Sequence, residues 1–356
     1  MKIGSVDLPS PFAIAPMAGM TDTAFRRLVK RHGGCGLVVT EMVSAEALAR
    51  GIGRTLEYAE YTEEERPISI QIFGGDPVRM AAAAQIVEGM GADIVDVNMG
   101  CPVPKIAKHN AGCSLMREPA HAARVIAAMT KAVRIPVTVK MRAGWNDGER
   151  NAPTLAKMVE EAGAAAIAVH GRTAAQSYSG SADWDLVARI AGDLAIPVFG
   201  SGDCLEPEQI VERLASGVEG VLVGRGVLRN PWILAQAADL ARGLRPRPVT
   251  LEDRGRFLLD YVELLMTERV REPRLRSVAE LTELRRGKLE IAAPAFPAAV
   301  RSHDRWVINK IRALGSWYTK GLDGGSNLRT AINSAQSLTE LRELIGTFFL
   351  ASATVA

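Results

Sequence analysis

Cysteine and histidine are scarce in this chain of 356 residues, which contains four of the former and five of the latter. No two cysteines form a C-x-x-C pair, and no histidine lies at metal-ligand spacing from any cysteine. This pattern argues against a zinc site and against a disulfide framework, so we predict no bound metal. Free thiols are typical of a protein in a reducing cytoplasm.

Long apolar runs are also missing, since nowhere do 18 consecutive apolar residues occur. The N-terminus has one lysine and no uninterrupted apolar segment of the kind found in export signals. We therefore expect a cytoplasmic protein with no membrane partner. The Walker A, G-x-S-x-G and H-E-x-x-H motifs are absent, which removes the usual sequence evidence for a P-loop NTPase, an α/β-hydrolase or a zinc protease.

The composition is that of a globular chain, with 47% hydrophobic and 23% charged residues. Charge is unevenly distributed along it. Residues 1–241 contain 24 Lys and Arg against 27 Asp and Glu, whereas residues 242–329 contain 18 against 11, a net charge of +7. A basic C-terminal part predicts contact with a polyanion.

Eight short apolar runs alternate with helical patterns over residues 12–240. The runs are Phe12 to Ala15, Leu37 to Thr40, Ile68 to Phe73, Ile94 to Asn98, Val137 to Met141, Ala165 to His170, Pro197 to Gly200 and Gly220 to Gly224. The helical segments include Thr23 to Arg31, Pro77 to Met90, Pro119 to Lys131, Pro153 to Glu161, Asp185 to Ala191 and Pro207 to Ala215. Eight βα units predict an α/β fold, a (β/α)8 TIM barrel, with a doubly wound sheet as the alternative.

No strand pattern returns beyond residue 242. We predict a catalytic barrel over 1–242, a Pro/Arg-rich linker over 243–250 and an all-helical domain over 251–356. Helices are expected at Arg254 to Val270, Arg305 to Lys320 and Ser337 to Phe349. Residues 271–304 are charged and poorly periodic, and we predict an insertion there whose fold the sequence leaves open.

In a barrel of this type, chemistry gathers where strands end and loops begin. Seven of the eight predicted strand ends carry candidate residues, and only the second does not. Glycine-bearing turns after strands seven and eight match the recurrent phosphate site of such barrels. The candidates are Pro16, Met17, Ala18, Gln71, Asn98, Cys101, Lys140, Arg142, His170, Arg172, Ser201, Gly202, Asp203, Gly224 and Arg225.

Short motifs lie at these strand ends: APMAGMTD at 15–22, QIFG at 71–74, DVNMGCP at 96–102 with Lys105, VKMRAGW at 139–145, VHGRT at 169–173, SGD at 201–203 and GRG at 224–226. Together they resemble the motifs of the tRNA-dihydrouridine synthases, closest to the bacterial B-type branch. In the C-terminal part, WYTKGL at 317–322 and LRTAIN at 328–333 also match. The resemblance covers nearly the whole chain.

The resemblance implies an FMN-binding barrel and a helical tRNA-binding domain, with NADPH or NADH as electron donor and a monomeric enzyme. The implied reaction gives hydride from the flavin to C6 of a flipped-out D-loop uridine, while Cys101 protonates C5, yielding 5,6-dihydrouridine. A thiol with a reference pKa of about 8.5 is mostly protonated at neutral pH and suits that role.

The resemblance also implies roles for individual residues. Lys140 would face the N1/C2 carbonyl region of the flavin, Gln71 its pyrimidine edge, and His170 its ribityl chain or phosphate. The remaining cofactor candidates are Pro16, Met17, Ala18, Ser201, Gly202, Asp203, Gly224 and Arg225. The substrate candidates are Asn98, Lys105, Arg142, Arg172, Arg305, Lys310, Arg312, Lys320 and Arg329.

Two departures from the family pattern stand out. Ser201 replaces the usual Asn, so its flavin contact is expected to be shorter or water-mediated. The segment 271–304 is longer than the family pattern leads us to expect.

Two other functions are compatible with parts of the sequence. A small-molecule FMN-dependent pyrimidine reductase would share the barrel but not the basic helical part, and a non-catalytic RNA-binding protein would not need Cys101, Lys140 and Gln71 together.

Overall fold

The computed structural model describes residues 1–50, 53–107, 110–268 and 300–350. Parallel strands with helices outside them form a nearly closed barrel, and helices alone make up the described chain beyond residue 250. The predicted (β/α)8 barrel with a C-terminal helical part is therefore confirmed. The predicted insertion at 271–304 lies almost entirely outside the described residues, and the proposed domain boundaries stay a prediction.

The strands follow the predicted runs closely. An antiparallel hairpin, which the sequence did not predict, comes first and is formed by β1 (Lys2–Ile3) and β2 (Val6–Asp7). The parallel strands are β3 (Phe12–Ile14), β4 (Val38–Val39), β5 (Val43–Ser44), β6 (Ile68–Phe73), β7 (Ile94–Met99), β8 (Val137–Arg142), β9 (Ala166–His170), β10 (Val198–Ser201) and β11 (Gly220–Val223). Their order is β3-β11-β10-β9-β8-β7-β6-β4, and a single parallel bridge between Ala13 and Leu37 joins the two ends.

The second barrel strand is interrupted between β4 and β5. At the break, the backbone N–H of Gln71 donates to the hydroxyl of Thr40 (3.1 Å) in place of a main-chain carbonyl. β5 then pairs with the last residues of β6. The interruption places Glu41, which is buried, at the end of the barrel where the strands finish.

Side chains alternate between the inside and the outside of the barrel, as strand geometry requires. The inner apolar cluster includes Ala168, Phe199 and Leu222, and the hairpin residues Ile3 and Leu8 belong to it. The hairpin therefore plugs the amino-terminal end of the barrel. Beyond the apolar cluster, toward the carboxyl ends of the strands, the inward-facing side chains of β6, β7 and β8 are polar. The polar residues of the barrel interior therefore lie at the end opposite the hairpin.

Among the described residues up to 268 there are twelve α-helices. They are α1 (Thr23–Arg31), α2 (Ala45–Ala49), α3 (Gly53–Leu56), α4 (Pro77–Gly89), α5 (Pro104–Ala107), α6 (Pro119–Ala132), α7 (Ala152–Glu161), α8 (Trp184–Asp193), α9 (Pro207–Leu214), α10 (Arg225–Arg229), α11 (Ile233–Ala241) and α12 (Leu251–Glu268). After the gap come α13 (Val300–Tyr318), α14 (Gly325–Ser334) and α15 (Leu338–Phe349). Only α14 among these last three was not predicted.

The C-terminal helices pack on α1 and α11 through rings. Phe257 of α12 lies 6.1 Å from Phe25, 5.6 Å from Trp232 and 5.6 Å from Tyr318, measured between ring centroids. Tyr261 adds an edge contact to Phe25. We call these five residues the aromatic junction. Among the described residues, no helix is both long and apolar enough to cross a membrane.

Candidate functional site

Cys101 lies on the loop that follows β7, and it is the one partly exposed thiol of the four. Its backbone N–H donates to Asn98 Oδ1 (2.9 Å), and its carbonyl accepts from the N–H of Cys113 (3.0 Å). The loop is thus fixed on both sides of the thiol. Burial raises the pKa of the three other thiols, to about 11 for Cys35 and Cys113 and about 12 for Cys204, so those sulfurs stay inert.

Four inward-facing side chains form a continuous line of hydrogen bonds below this loop, and we call it the interior polar chain. Thr138 Oγ1 donates to Asp96 Oδ1 (2.6 Å), and Gln71 Nε2 donates to Asp96 Oδ2 (2.7 Å). Asn98 Nδ2 donates to Gln71 Oε1 (2.8 Å). Asn98 Oδ1 then accepts from the N–H groups of Gly100 (3.1 Å) and Cys101. Gln71 and Asn98 were predicted site residues, whereas Asp96 and Thr138 were not.

Lys140 lies beside this chain, paired in register with Asn98 on β7. Among the described residues its ammonium group has no hydrogen-bond or ion-pair partner. Burial lowers the pKa of Lys140 to about 8, and the nearby charge of Arg142 acts in the same direction while Asp96 opposes it. A partly buried cation without a partner at a barrel mouth is suited to receive an anionic group.

A second group of cations surrounds His170 at the end of β9. Burial, together with the charges of Lys140, Arg142, Arg172 and Arg225, lowers the pKa of His170 to about 2, so its imidazole is neutral. Arg172 is buried and its Nη2 reaches Asp203 at 2.7 and 2.8 Å. The guanidinium of Arg225 lies 3.4 Å from Asp203 and 4.7 Å from the ring of Tyr178. One carboxylate among these cations leaves a net positive site.

Arg142 is buried, and within the part of the chain that the structure describes it binds carbonyl oxygens and no carboxylate. Its Nε donates to Gly100 O (2.9 Å), and its Nη1 donates to Thr173 O (2.9 Å) and Ser177 O (3.1 Å). The side chain therefore joins the loop that carries Cys101 to the loop that follows β9. Burial lowers the pKa of Arg142. Its role in substrate binding stays a prediction, and its contacts show that it holds these two loops of the mouth together.

The loops after β3, β10 and β11 meet at one side of the mouth. A Cβ added to Gly224 would lie 3.5 Å from Met17 Sδ, and one added to Gly202 would lie 2.6 Å from Ala182 Cβ and 3.3 Å from the His170 ring. Gly202 has a φ of +122°, which only glycine adopts readily. The structure thus brings Met17, His170, Ser201, Gly202 and Gly224 to neighbouring positions, with Pro16 and Ala18 flanking Met17.

The basic candidates of the C-terminal helices divide into two groups. Lys310 bonds Asp22 Oδ2 (2.9 Å) and the carbonyl of Gly19 (3.0 Å), and Arg312 bonds the carbonyl of Ala335 (2.7 Å) at the end of α14. Those two charges face protein. The others are partly or fully exposed: Arg305, Lys320 and Arg329. The side chain of Lys105, within α5, lies outside the described part of the chain.

Glu41 is a site-facing residue that the sequence reasoning missed. Its carboxylate accepts from the N–H of Gly19 (2.6 Å) and lies 3.6 Å from the ammonium of Lys310. Asp22, which caps α1 through the N–H of Phe25, also accepts from Tyr261 Oη (2.8 Å). Both carboxylates link the mouth to the C-terminal helices. No local pattern marks these links, because Tyr261 and Lys310 lie more than 200 residues along the chain from Asp22 and Glu41.

The chain matches the family model described as dihydrouridine synthase (Dus) over residues 13–292, which includes all of the barrel strands except the first residue of β3. The chain belongs to the dihydrouridine synthase family. The resemblance drawn from the motifs is thereby confirmed. Within the described residues of this family member, no three His, Cys, Asp or Glu side chains are grouped so as to hold a metal ion.

Relatives of this dihydrouridine synthase family member span most of its length. A probable tRNA-dihydrouridine synthase of Rickettsia conorii is 36% identical over 352 residues, covering 98% of this chain and 96% of the relative. A tRNA-dihydrouridine synthase B of Xanthomonas campestris is 40% identical over 267 residues, covering 74% and 80%. Among solved structures, histamine dehydrogenase from Rhizobium sp. 4-9 shares the fold, with a TM-score of 0.53 and 12% identity over 73% of this chain and 50% of that one.

Proposed function

We propose that this protein is a tRNA-dihydrouridine synthase that reduces the C5=C6 bond of a uridine in tRNA, using FMN and either NADPH or NADH. The observation that carries the proposal is the free, partly exposed thiol of Cys101 beside Lys140, whose ammonium has no hydrogen-bond or ion-pair partner in the described chain, at the barrel mouth of a member of this family. A thiol acid next to a cation that can face a reduced flavin suits this reaction. A small-molecule pyrimidine reductase would share the barrel but would have no use for the basic helical part.

Reduction of the double bond requires a hydride at one carbon and a proton at the other. A bound FMN would supply the hydride, which no side chain can provide. Cys101 Sγ would hold the proton that C5 of the uracil ring receives. Lys140 would lie against the N1/C2 carbonyl region of the flavin. Gln71 has a second N–H that the interior polar chain leaves unused, and it would donate to the pyrimidine edge.

The residues at the mouth fit an anionic cofactor in two places. Lys140 lacks a partner among the described residues, and the cations around His170 exceed the single carboxylate of Asp203. The cofactor's phosphate would lie at the second place, near Gly202, Gly224 and Arg225, where glycine permits close approach of the backbone. A neutral His170 would bind the phosphate or the ribityl chain through an N–H group and not through charge.

The uridine of folded tRNA must leave its stack to enter a barrel mouth, at a cost of a few kcal/mol that phosphate contacts offset. We infer that the exposed cations Arg305, Lys320 and Arg329 supply such contacts. Lys320 lies 4.1 Å above the ring of Trp317, so this surface also presents an aromatic face. Lys310 and Arg312 would act indirectly, because their contacts hold α13 and α14 in place.

The decisive experiment incubates purified protein with NADPH and tRNA that lacks dihydrouridine, followed by nuclease digestion and mass spectrometry. A gain of two hydrogens on a uridine, lost in Cys101→Ala while flavin stays bound, is the expected result. Unchanged tRNA in the presence of bound, reducible flavin would overturn the proposed substrate. Reduction of free uracil in that case would favour a small-molecule reductase, and protein purified without flavin would remove the enzymatic proposal altogether.

A further inference from the structure

The interior polar chain has a direction, and that direction is set at its two ends. Asp96 is buried, with 6% of its surface exposed, and both of its carboxyl oxygens accept hydrogen bonds, one from Thr138 Oγ1 and one from Gln71 Nε2. At the other end, the N–H groups of Gly100 and Cys101 only donate. Between these ends lie two carboxamides, each of which has one accepting and one donating side.

Each carboxamide therefore has a single orientation that satisfies both neighbours. Gln71 must turn its NH2 toward Asp96, which leaves its oxygen for Asn98. Asn98 must then turn its own NH2 toward Gln71, and its oxygen faces the loop that carries Cys101. Reversing one carboxamide alone would place two donors or two acceptors in contact inside the barrel, where an unmade hydrogen bond costs about 1 to 3 kcal/mol.

We propose that Asp96 is a positioning residue for Cys101, acting through Gln71 and Asn98. The carboxylate fixes the orientation of Gln71, Gln71 fixes that of Asn98, and Asn98 fixes the main chain on which the thiol is displayed. Register supports the relay, because Gln71 is the β-ladder partner of Asp96, and Asp96 is that of Thr138, so three adjacent strands hold it. The hydroxyl of Thr138 can rotate, so it can either donate a hydrogen bond to the side chain at position 96 or accept one from it.

The importance of the relay to catalysis rests on the proposed function of Cys101, but the relay itself does not. A misplacement of the thiol by about 1 Å would be expected to lower turnover by up to about 10²-fold. The accessibility of the sulfur to an alkylating reagent reports the loop directly, whatever the substrate. The three other thiols are buried, so the fast phase of alkylation belongs to Cys101.

The structure offers a pair of isosteric substitutions that reverse the relay. Asn98→Asp places a second carboxylate beside Gln71. Gln71 can turn its NH2 toward position 96 or position 98 but not both, so its oxygen faces a carboxylate oxygen at the other position. Combining Asn98→Asp with Asp96→Asn reverses the direction of the hydrogen bonds. The side chain at position 96 then donates to Gln71, and Gln71 donates to position 98. Position 98 still accepts from the N–H groups of Gly100 and Cys101. The net charge of the double variant equals that of the natural chain.

The test compares four flavin-loaded proteins: the natural chain, D96N, N98D and D96N/N98D. For N98D we expect Cys101 alkylation by iodoacetamide to rise by more than about threefold and kcat on tRNA to fall by about tenfold or more. The double variant is expected to return alkylation to within about twofold of the natural rate. D96N alone keeps an acceptor for Gln71 and should alter alkylation less than N98D.

Two outcomes would overturn the relay. In the first, Cys101 of N98D is alkylated at the natural rate. In the second, the alkylation rate of D96N/N98D is no closer to the natural rate than that of N98D. A natural chain that leaves tRNA unreduced would instead contradict the proposed function, and the alkylation series would still decide the relay. If N98D proves too unstable to purify, the comparison of D96N/N98D with the natural chain remains decisive. A double variant with natural alkylation supports the relay, and one with freely reactive Cys101 refutes it.

Discussion

At the scale of the residue, Cys101 differs from the other thiols in exposure and in the support of its main chain. We expect Cys101→Ala to lower turnover by about 10² to 10⁴, the range attributed to a general acid, while the flavin spectrum and melting temperature stay close to natural. Cys113→Ala is the matched control, because Cys113 contacts the same loop but its thiol is buried. Comparable loss of turnover in both variants would assign the effect to packing.

Lys140 makes a second prediction at this scale. Its pKa is lowered to about 8, so the protonated fraction falls as pH rises through that value. If the ammonium binds an electron-rich edge of the flavin, affinity should be highest below pH 8 and should weaken above it by at most about tenfold per pH unit. Fluorescence titration of FMN between pH 6.5 and 9.5 measures this dependence.

Lys140→Arg provides the control for that titration, because guanidinium keeps its charge over the whole range. The slope above pH 8 should disappear in the variant even if its affinity is lower overall. An unchanged slope would mean that a group other than Lys140 titrates. His170 does not produce the slope, because its imidazole is already neutral throughout the range.

Individual site residues could be predicted from the sequence when a local pattern marked them. An apolar run that stops at a polar residue or a glycine revealed Cys101, Lys140 and His170, since barrel geometry brings strand ends together. Asp96 carried no such mark, because it lies within a strand and its role depends on partners on two other strands. Glu41 was missed because the interruption of its strand depends on Thr40 pairing with Gln71.

At the scale of elements, strands and outer helices were predictable because each apolar run is short and each helix begins near a proline or a capping residue. The helix α14 was missed because it begins after a glycine in a left-handed conformation, which resembles a turn. The docking of α13 on the barrel was not predictable at all. It depends on Asp22 and Glu41, which no spacing relates to Lys310.

The docking contact gives a prediction for that element. Lys310 has only 14% of its side chain exposed, and although burial lowers its pKa, Asp22 and Glu41 outweigh burial and raise it. Lys310→Met would leave two carboxylates without their cation, so we expect a loss of unfolding free energy on the order of 3 kcal/mol in a denaturant titration.

Lys320→Met is the matched control, since Lys320 is exposed in the turn that follows α13. Its unfolding free energy should stay within about 0.5 kcal/mol of natural. Its affinity for tRNA should fall, and the dependence of that affinity on salt should become less steep by about one ion. A stable Lys310→Met protein would show that the ion contacts contribute little to docking.

At the scale of the whole molecule, the barrel and the helical part share one core. Aromatic residues make up only 5% of the chain, yet five of them meet in the aromatic junction between α1, α11, α12 and α13. Barrel residues and C-terminal residues belong to the same contiguous apolar cluster. The sequence predicted two domains from a change in pattern and in charge, and neither property reports whether two parts share a core.

A shared core predicts cooperative unfolding. We expect calorimetry of the full chain to give one endothermic transition, with equal calorimetric and van't Hoff enthalpies. Phe257→Ala should lower the temperature of that single transition, because it opens a cavity at the junction that costs about 3 to 5 kcal/mol of unfolding free energy. Two resolved transitions, with only one of them moved by the substitution, would show that the parts unfold independently.

The contact of Lys310 with Asp22 and Glu41 also limits how this gene can change over generations. A lysine in one half and two acids in the other half form one functional unit, so a change at any of the three is tolerated best when another follows. Recombination that joins the barrel of one lineage to the helices of another would separate them. Descendants of such an exchange should survive mainly where both parents carried the same ion pair.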